Sequence, residues 1–318
     1  MLSTIRKVDN SLIGATFTKN KPKYYALVFD KHLTAQILDG LAAAANVRSN
    51  VKRAANQLQS EGIKPCLATV LVGDDPSSTI YVRNKQKAAA ATGILTRDHK
   101  LPSSCTQREL IELIETLNTD IEVHGILIQL PLPSQINESL VFSILNPIKD
   151  VDGLTPYNAG MLVGGKALFK PCTPSGIVEL LDFNKIEISG MDSLIVNRST
   201  LVGKPLAFLL LERDATVILC HSKTKMLVEK LRNADIVVTA VGNREHFFLT
   251  ADMIKPHSII VDVGISRHGG KIAGDVDFEN VKDKASWITP VPGGVGPMTI
   301  SMLLKNTITA ASLKKNEY

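Results

Sequence analysis

The order of apolar runs along the chain is the feature that most constrains its fold. In the first half, two short aliphatic runs, Cys66–Gly73 and Gly125–Leu132, alternate with segments of helical composition, Ser78–Thr92 and Gln107–Leu117. Both runs are apolar at successive positions, which is typical of strands covered by helices on both faces. This alternation predicts an α/β fold with a parallel sheet.

A second α/β block is predicted after a stretch crowded with glycine and proline, residues 153–173. A further helix, Thr34–Gln59, is predicted before the first strand. The predicted elements of the second block are the strands Ser193–Val196, Ala215–Leu219, Asp235–Val241 and Ser258–Val263 and the helices Pro174–Leu181, Gly203–Arg213, Thr224–Asn233 and Thr299–Ala311. We therefore expect two α/β units.

Composition excludes several classes of protein. The 318 residues suffice for two cores, and 44% hydrophobic with 21% charged residues indicates a globular chain. A net charge of +5 and 5% aromatic residues, without a basic cluster, argue against a nucleic-acid partner. The longest apolar run, Leu206–Leu211, is too short to span a membrane. No metal site is predicted, because the four cysteines form no C-x-x-C pair.

Scattered cysteines are typical of reduced thiols and favour a cytoplasmic location. Residues 1–33 are basic and lack the apolar core of a signal peptide. These residues could be a poorly ordered extension or a peptide for import into an organelle, and the sequence does not distinguish the two.

Polar residues in the first block could carry chemistry. Tyr81 and Lys85 are four residues apart on a helix that follows a strand, which places them on one helix face. Gln129 interrupts an apolar run and needs a partner if it is buried, and Lys85 is the candidate. A solvated lysine is the alternative. Asp150 and Asp152 lie between the two blocks, where a turn cap would also explain them.

The second block favours a dinucleotide site, although it has no G-x-G-x-x-G fingerprint. A turn beginning at Asn197 joins a strand to a helix, and a phosphate can bind at such a helix start. The next strand ends in residues 220–224, where no acidic residue is present. Arg198, Ser222 and Lys223 could converge on a 2′-phosphate, which favours NADP. A plain strand–turn–helix with solvated strand ends is the alternative.

Glycines close the later strands. Gly242 and Gly264 each end an apolar run, where glycine permits a ligand or a tight turn. Residues 289–299 form a loop of proline and glycine before the last helix, and this loop could line a nicotinamide pocket or simply connect two elements.

Together these stretches resemble the bifunctional methylenetetrahydrofolate dehydrogenase/cyclohydrolase family. The resemblance follows the chain from about residue 34 to residue 311. The matching stretches are VGDDPSSTIYVRNKQKAAAATGI (72–94), GILIQLPLPSQIN (125–137), KDVDGLTPYNAGMLVGG (149–165), KPCTPSGIVELL (170–181), RSTLVGKP (198–205), CHSKT (220–224) and TPVPGGVGPMTISMLL (289–304).

The resemblance implies oxidation of 5,10-methylenetetrahydrofolate with NADP, then hydrolysis to 10-formyltetrahydrofolate. Lys85 would be the central catalytic residue, Gln129 would orient it, and Asp152 would bind the pterin ring. The implied substrate-binding residues are Ser78, Tyr81, Leu130, Pro131, Pro292 and Gly294. The implied cofactor-binding residues are Asn197, Arg198, Ser199, Ser222, Gly242 and Ile265.

It also implies a homodimer and a discontinuous first domain. The expected division is an extension (1–33), a folate-binding catalytic domain (34–156 plus 291–318) and a Rossmann-like NADP-binding domain (157–290), with a cleft between the two domains. The chain departs from the family at Asn197, where members usually have glycine; asparagine tolerates left-handed backbone better than most residues.

Three alternative functions predict different residues. A dehydrogenase without cyclohydrolase activity would lack Lys85 or Gln129, and a non-catalytic binding protein would show damage among Tyr81, Lys85, Gln129 and Asp152. All four are present. Another two-domain Rossmann oxidoreductase would explain the second block but not the motifs of the first.

Overall fold

The structure, a computed structural model, describes residues 34–313 and contains two parallel sheets packed with helices. The first half has β1 (Gln36–Ile37), α1 (Gly40–Ser60), β2 (Cys66–Val72), α2 (Pro76–Ala91), β3 (Leu95–Leu101), α3 (Gln107–Thr119), β4 (Gly125–Ile128), α4 (Glu138–Ile144) and α5 (Pro156–Val163). The second half has α6 (Cys172–Phe183), β5 (Asp192–Val196), α7 (Gly203–Leu211), β6 (Thr216–Cys220), α8 (Leu227–Asn233), β7 (Ile236–Thr239), a 3-10 helix (Ala251–Met253), β8 (Ile259–Asp262), β9 (Ser266–His268), β10 (Lys271–Ala273), α9 (Phe278–Val281), β11 (Trp287–Ile288) and α10 (Val295–Leu313).

The small sheet has three parallel strands in the order β3-β2-β4. All seven residues of β2 are buried, as its continuous apolar sequence predicts for a central strand. Strand β3 was not predicted, because its sequence LTRDHKL has few apolar residues. It lies at the edge of the sheet and needs less apolar side-chain surface than a central strand.

The large sheet has six parallel strands in the order β1-β11-β8-β7-β5-β6. The strands after β5 are placed first on one side, as β6, and then on the other, as β7. This reversal is the topological switch point of a doubly wound fold, where ligands bind beyond the carboxyl ends of the strands. Strands β9 and β10 form a separate antiparallel hairpin.

Several predicted element boundaries were wrong. The helix predicted from Thr224 begins at Leu227, and the one predicted from Thr299 begins at Val295. The helix predicted from Thr34 begins at Gly40, because the Asp39 carboxylate accepts hydrogen bonds from Leu41 N and Ala42 N at 2.9 and 3.0 Å. Before this cap, β1 pairs with β11 of the large sheet. The strand predicted for Gly125–Leu132 ends at Ile128, ahead of the two prolines.

Helices α1, α6 and α10 pack against one another between the two sheets and share one apolar core. The start of α1 is held against the loop before α10 by two glycines. A Cβ at Gly40 would lie 1.7 Å from the Gly294 carbonyl oxygen, so only glycine fits there. Within residues 34–313, no helix is both long and apolar enough to cross a membrane.

Candidate active site

Helix α2 places Ser78, Tyr81 and Lys85 along one side, at spacings of three and four residues. The Asp75 carboxylate begins this helix by accepting a hydrogen bond from Ser78 N at 2.7 Å. Ser78 and Lys85 are buried, with 8% of Lys85 exposed, and Tyr81 is partly buried. Burial raises the pKa of the Tyr81 hydroxyl. The solvated lysine considered from the sequence is therefore excluded.

Gln129 follows β4 and is a hydrogen-bond partner of Lys85. Its backbone N–H donates to the Val70 carbonyl at 2.9 Å, which continues the pairing of β4 with β2. Its Oε1 accepts a hydrogen bond from Lys85 Nζ at 3.1 Å, and its Nε2 donates to the Leu130 carbonyl at 2.7 Å. The peptide bond before Pro131 is cis. The structure thus joins the two polar residues that the sequence analysis paired.

Burial changes the proton affinities of Lys85 and its neighbours. It lowers the pKa of Lys85, while the negative charge of Asp152 opposes that shift. It raises the pKa of Asp152, against the positive charge of Lys85 and a hydrogen bond from Cys172. Cys172 is 1% exposed, and burial raises the pKa of its thiol well above the usual value. The lysine is therefore closer to its neutral amine form than a surface lysine.

The two aspartates between the blocks have different surroundings. Asp150 is fully buried and accepts hydrogen bonds from Leu154 N, Thr155 N and Asn158 Nδ2 at 3.1, 2.8 and 2.8 Å. It is the turn cap that the sequence analysis considered for both. Asp152 keeps part of its surface exposed and interacts electrostatically with Lys85. Only Asp152 therefore belongs to the lysine site.

Asn197 organises the turn at the switch point. Its Oδ1 accepts hydrogen bonds from Ser199 N at 2.7 Å and Gly203 N at 3.0 Å, and its Nδ2 donates to the Ala240 carbonyl at 2.6 Å. It therefore links the end of β5 to the start of α7 and the end of β7. Asn197 is not among the residues with positive φ, so its tolerance of left-handed backbone is not what keeps the turn.

The residues expected to recognise a 2′-phosphate lie at the ends of neighbouring strands. Arg198 follows β5, and Ser222 and Lys223 follow β6; all three are exposed. Ser199 is partly buried, and its hydroxyl accepts a hydrogen bond from Val202 N at 3.1 Å. Arg198 and Lys223 are two exposed cations, and residues 220–224 contain no carboxylate. This arrangement suits the binding of a phosphate group.

The remaining predicted residues lie on loops at the carboxyl end of the large sheet. Gly242 follows β7 with φ +67°, and Ile265 follows β8 with 47% of its surface exposed. Pro292 is exposed and is preceded by a cis peptide bond. Gly294 is buried against Gly40, so it has a packing role whatever else it contacts.

Sequence reasoning missed four polar residues. Cys172 lies beside Asp152, which its place among four scattered cysteines does not indicate. Asn306 on α10 donates to the carbonyls of Val151 and Lys170 at 2.9 and 3.2 Å and so supports the same turn. Asp262, the last residue of β8, and Asp275, which follows β10, are both buried. The signal for the last two was an aspartate within or beside an apolar run.

In the described part of the chain, no group of three or more His, Cys, Asp or Glu side chains could hold a metal ion. The four cysteines are free and buried.

Two family models match the chain. The catalytic domain of tetrahydrofolate dehydrogenase/cyclohydrolase matches residues 38–152, and the NAD(P)-binding domain of the same family matches residues 171–315.

Similar proteins have the same organisation. A protein of Nitrosopumilus maritimus named bifunctional protein FolD is 57% identical over 281 residues, which are 88% of this chain and 98% of that protein. The crystal structure of the bifunctional FolD methylenetetrahydrofolate dehydrogenase/cyclohydrolase from Campylobacter jejuni has a TM-score of 0.85 at 47% identity and covers 88% of this chain and 99% of its own. The Trypanosoma brucei enzyme, solved with NADP and an inhibitor, has a TM-score of 0.84 at 36% identity and covers 89% and 99%.

The predicted two-domain α/β fold, the family and the need for a nicotinamide dinucleotide are confirmed by these matches. The chain belongs to the tetrahydrofolate dehydrogenase/cyclohydrolase family and is a bifunctional dehydrogenase and cyclohydrolase.

Proposed function

We propose that the chain oxidises 5,10-methylenetetrahydrofolate with NADP and hydrolyses the methenyl product to 10-formyltetrahydrofolate, with Lys85, Gln129 and Asp152 as catalytic residues. The observation that carries this assignment is the buried Lys85 amine. It donates a hydrogen bond to the neutral Gln129 amide and interacts electrostatically with Asp152. A lysine whose pKa is lowered by burial is suited to proton transfer near neutral pH.

In the dehydrogenase step, the protein mainly has to align two rings. Bound NADP would supply the acceptor for the hydride that leaves the methylene carbon of the folate. Asp152 binds the pterin ring, and Tyr81 stacks on the substrate. The other proposed substrate contacts are Ser78, Leu130, Pro131, Pro292 and Gly294. Alignment of this kind accounts for much of the rate of such a transfer.

In the hydrolase step, Lys85 acts on a water molecule. Water adds to the cationic methenyl carbon and gives one proton to the neutral Lys85 amine. The bond from that carbon to N5 then breaks, N5 takes the second water proton, and the formyl group stays on N10. Gln129 accepts a hydrogen bond from an N–H of the amine. This contact orients the lone pair of the amine without adding charge.

The proposed cofactor site follows the switch point of the large sheet. Arg198 and Ser222 bind the 2′-phosphate, and Asn197 and Ser199 shape the turn beneath it. Gly242 and Ile265 contact the cofactor further along the sheet edge. The exposed positive charge of Arg198 and Lys223 supports NADP over NAD, as does the NADP complex of the T. brucei relative.

We propose the domain division expected from the sequence, with β1 as the exception, because residues 36–37 pair with the sheet of the other domain.

A homodimer is supported by the edge strand β6, where Ile218 and Leu219 are both 38% exposed on an open sheet edge. The four free cysteines support a cytoplasmic location. Residues 1–33, for which organellar import stayed open, lie outside the described residues. We propose that the protein has neither a nucleic-acid nor a membrane partner.

One absorbance experiment tests the function. Methylenetetrahydrofolate is mixed with the protein and NADP, and in parallel with NAD, while the bands of methenyl-folate and reduced cofactor are followed together. Reduced NADP without accumulation of methenyl-folate is expected. Accumulating methenyl-folate would leave only the dehydrogenase activity, and a preference for NAD would contradict the role given to Arg198 and Ser222.

A further inference from the structure

Two buried carboxylates lie at the carboxyl end of the large sheet, behind the loops that carry Gly242 and Ile265. Asp262 is 3% exposed and is the last residue of β8, and Asp275 is fully buried just after β10. Neither belongs to an ion pair in the described part of the chain. A buried carboxylate needs hydrogen-bond donors to remain stable, and here the donors are backbone N–H groups.

Asp275 closes the turn after β7. Its Oδ2 accepts a hydrogen bond from Val241 N at 2.6 Å, and its two oxygens accept from Gly242 N at 2.9 and 3.2 Å. Gly242 has φ +67°, so this turn has a backbone conformation that most residues avoid. The carboxylate of Asp275 therefore fixes the path of the chain at Gly242.

Asp262 links the end of β8 to the segment that contains Asp275. Its Oδ1 accepts from Gly264 N and Asp275 N, each at 3.0 Å, and its Oδ2 accepts from Val276 N at 3.0 Å. The Thr239 hydroxyl, at the end of β7, donates to Oδ1 at 3.2 Å. One side chain thus joins the ends of β7 and β8 to the backbone beside Asp275.

Glycines make room for both carboxylates. A Cβ at Gly264 would lie 2.2 Å from Asp275 Cγ, and a Cβ at Gly274 would lie 1.9 Å from Asp262 Oδ2. Real Cβ atoms do not approach this closely, so the two glycines and the two carboxylates form one packed unit. Residue 264 directly precedes Ile265, and the unit therefore also determines where that residue lies.

We propose that Asp262 and Asp275 are positioning residues for the dehydrogenase reaction. They hold the Gly242 and Ile265 turns where the nicotinamide cofactor is bound, and they do not touch the reacting atoms. This inference rests on the proposed cofactor contacts of Gly242 and Ile265. Ionised carboxylates accept N–H groups more strongly than neutral amides, and small displacements of a positioned ring slow a transfer reaction steeply.

The second activity of the enzyme provides an internal control. Hydrolysis of methenyl-folate needs no dinucleotide, and Lys85 lies beside the small sheet. A change confined to the Gly242 and Ile265 turns should therefore separate the two activities. A general loss of folding would lower both together.

The test compares Asp275→Asn and Asp262→Asn with the matched control Asp235→Asn. Asp235 is a carboxylate at the opposite end of the large sheet; it accepts from Asp192 N at 2.8 Å and pairs with Lys255. An asparagine at 275 or 262 turns an NH2 group toward N–H donors. We expect the Kd and KM for NADP to rise at least about tenfold, or about 1.4 kcal/mol, with methenyl hydrolysis within about twofold of the unaltered enzyme. The control should leave the Kd for NADP unchanged.

A milder variant covers the case in which the asparagine variants do not fold. Thr239→Val removes only the hydroxyl that donates to Asp262, and Thr239 is fully buried. It should raise the KM for NADP by about two- to fivefold, the effect of one lost hydrogen bond, with hydrolysis retained. Equal losses of both activities, or an unchanged Kd for NADP, would overturn the inference.

Arg198→Ala, measured in parallel, separates this inference from the proposed cofactor site. If Arg198→Ala weakens NADP binding and Asp275→Asn does not, the positioning role is wrong and the cofactor site stands. If neither variant weakens NADP binding, the proposed cofactor site itself is wrong. If both do, with hydrolysis retained in Asp275→Asn, the positioning role is supported.

Discussion

The lysine site around Lys85 and the proposed nucleotide turn, residues 197–203, have positively charged side chains in opposite surroundings. Lys85 is 8% exposed and burial lowers its pKa, whereas Arg198 is exposed at the end of a strand. A buried amine can lose its proton and act as a base. An exposed guanidinium keeps its charge and attracts a phosphate. Burial and residue type therefore act together in the proposed roles: the buried amine is suited to proton transfer, and the exposed guanidinium is suited to electrostatic binding.

The largest effect should come from removing the buried amine. In Lys85→Met, hydrolysis of methenyl-folate should fall by about 10²–10⁴-fold, because the group that accepts the proton from water is lost. The Kd for NADP should stay within about twofold, since α2 lies beside the small sheet. Stopped-flow decay of the methenyl band and a fluorescence titration with NADP measure the two. Unchanged hydrolysis would remove Lys85 from the mechanism.

Removing the exposed cation should have the complementary effect. In Arg198→Ala, the Kd for NADP should rise by about 10- to 100-fold, the usual worth of a hydrogen bond to a charged group. The Kd for NAD, which has no 2′-phosphate, should change little. Titrations with both dinucleotides give the ratio. Equal losses for NADP and NAD would mean that Arg198 does not recognise the 2′-phosphate.

A third change tests whether neutrality of the glutamine matters. In Gln129→Glu, a carboxylate would lie beside Lys85 Nζ and raise the pKa of the lysine, because a negative neighbour favours the ammonium form. The rising limb of the pH–rate profile for methenyl hydrolysis should move upward by about one pH unit or more. Gln129→Asn, which adds no charge, is the control. A rising limb that stays in place would contradict the proposed base.

The smallest effect should come from the nucleotide turn. Asn197→Gly removes three hydrogen bonds to backbone groups and should raise the KM for NADP by about two- to fivefold through a looser turn. Asn197→Asp keeps both acceptor contacts and should recover part of that loss. Steady-state kinetics with NADP as the varied substrate measure both. A lower KM in the glycine variant would mean that the asparagine hinders the cofactor.

Parts of the site could be predicted because their signals are local. Gln129 was a polar residue in an apolar run, and Lys85 had helical spacing behind a strand, so their contact followed from the rules for buried polar groups. The different surroundings of Asp150 and Asp152 could not be predicted from residue type and spacing, and only the family resemblance singled out Asp152. They are two residues apart, and only the packing of the surrounding backbone buries one as a cap.

The rest depends on contacts between distant segments. Strand β3 has the composition of a loop and becomes a strand through its pairing with β2. Asp275 contacts Gly242 across 33 residues, and Asp262 was one acid in an otherwise apolar strand. The sequence shows that Asn197 stands where family members usually have glycine. Its hydrogen bond to the Ala240 carbonyl could not be predicted, because it depends on the order of the strands in the large sheet.

The pairing of β1 with β11 has a consequence for how the molecule can be divided. The chain passes between the two sheets three times: after β1, before α6 and before α10. A single proteolytic cut within residues 153–170 should therefore leave two fragments that stay associated, each completing the other's core. A fragment of residues 157–290 alone would lose β1 and α10 and expose an open edge at Trp287–Ile288 together with the apolar side of α6. The nucleotide-binding half therefore cannot be transferred by itself. Any exchange of it between relatives has to include β1 and α10 as well.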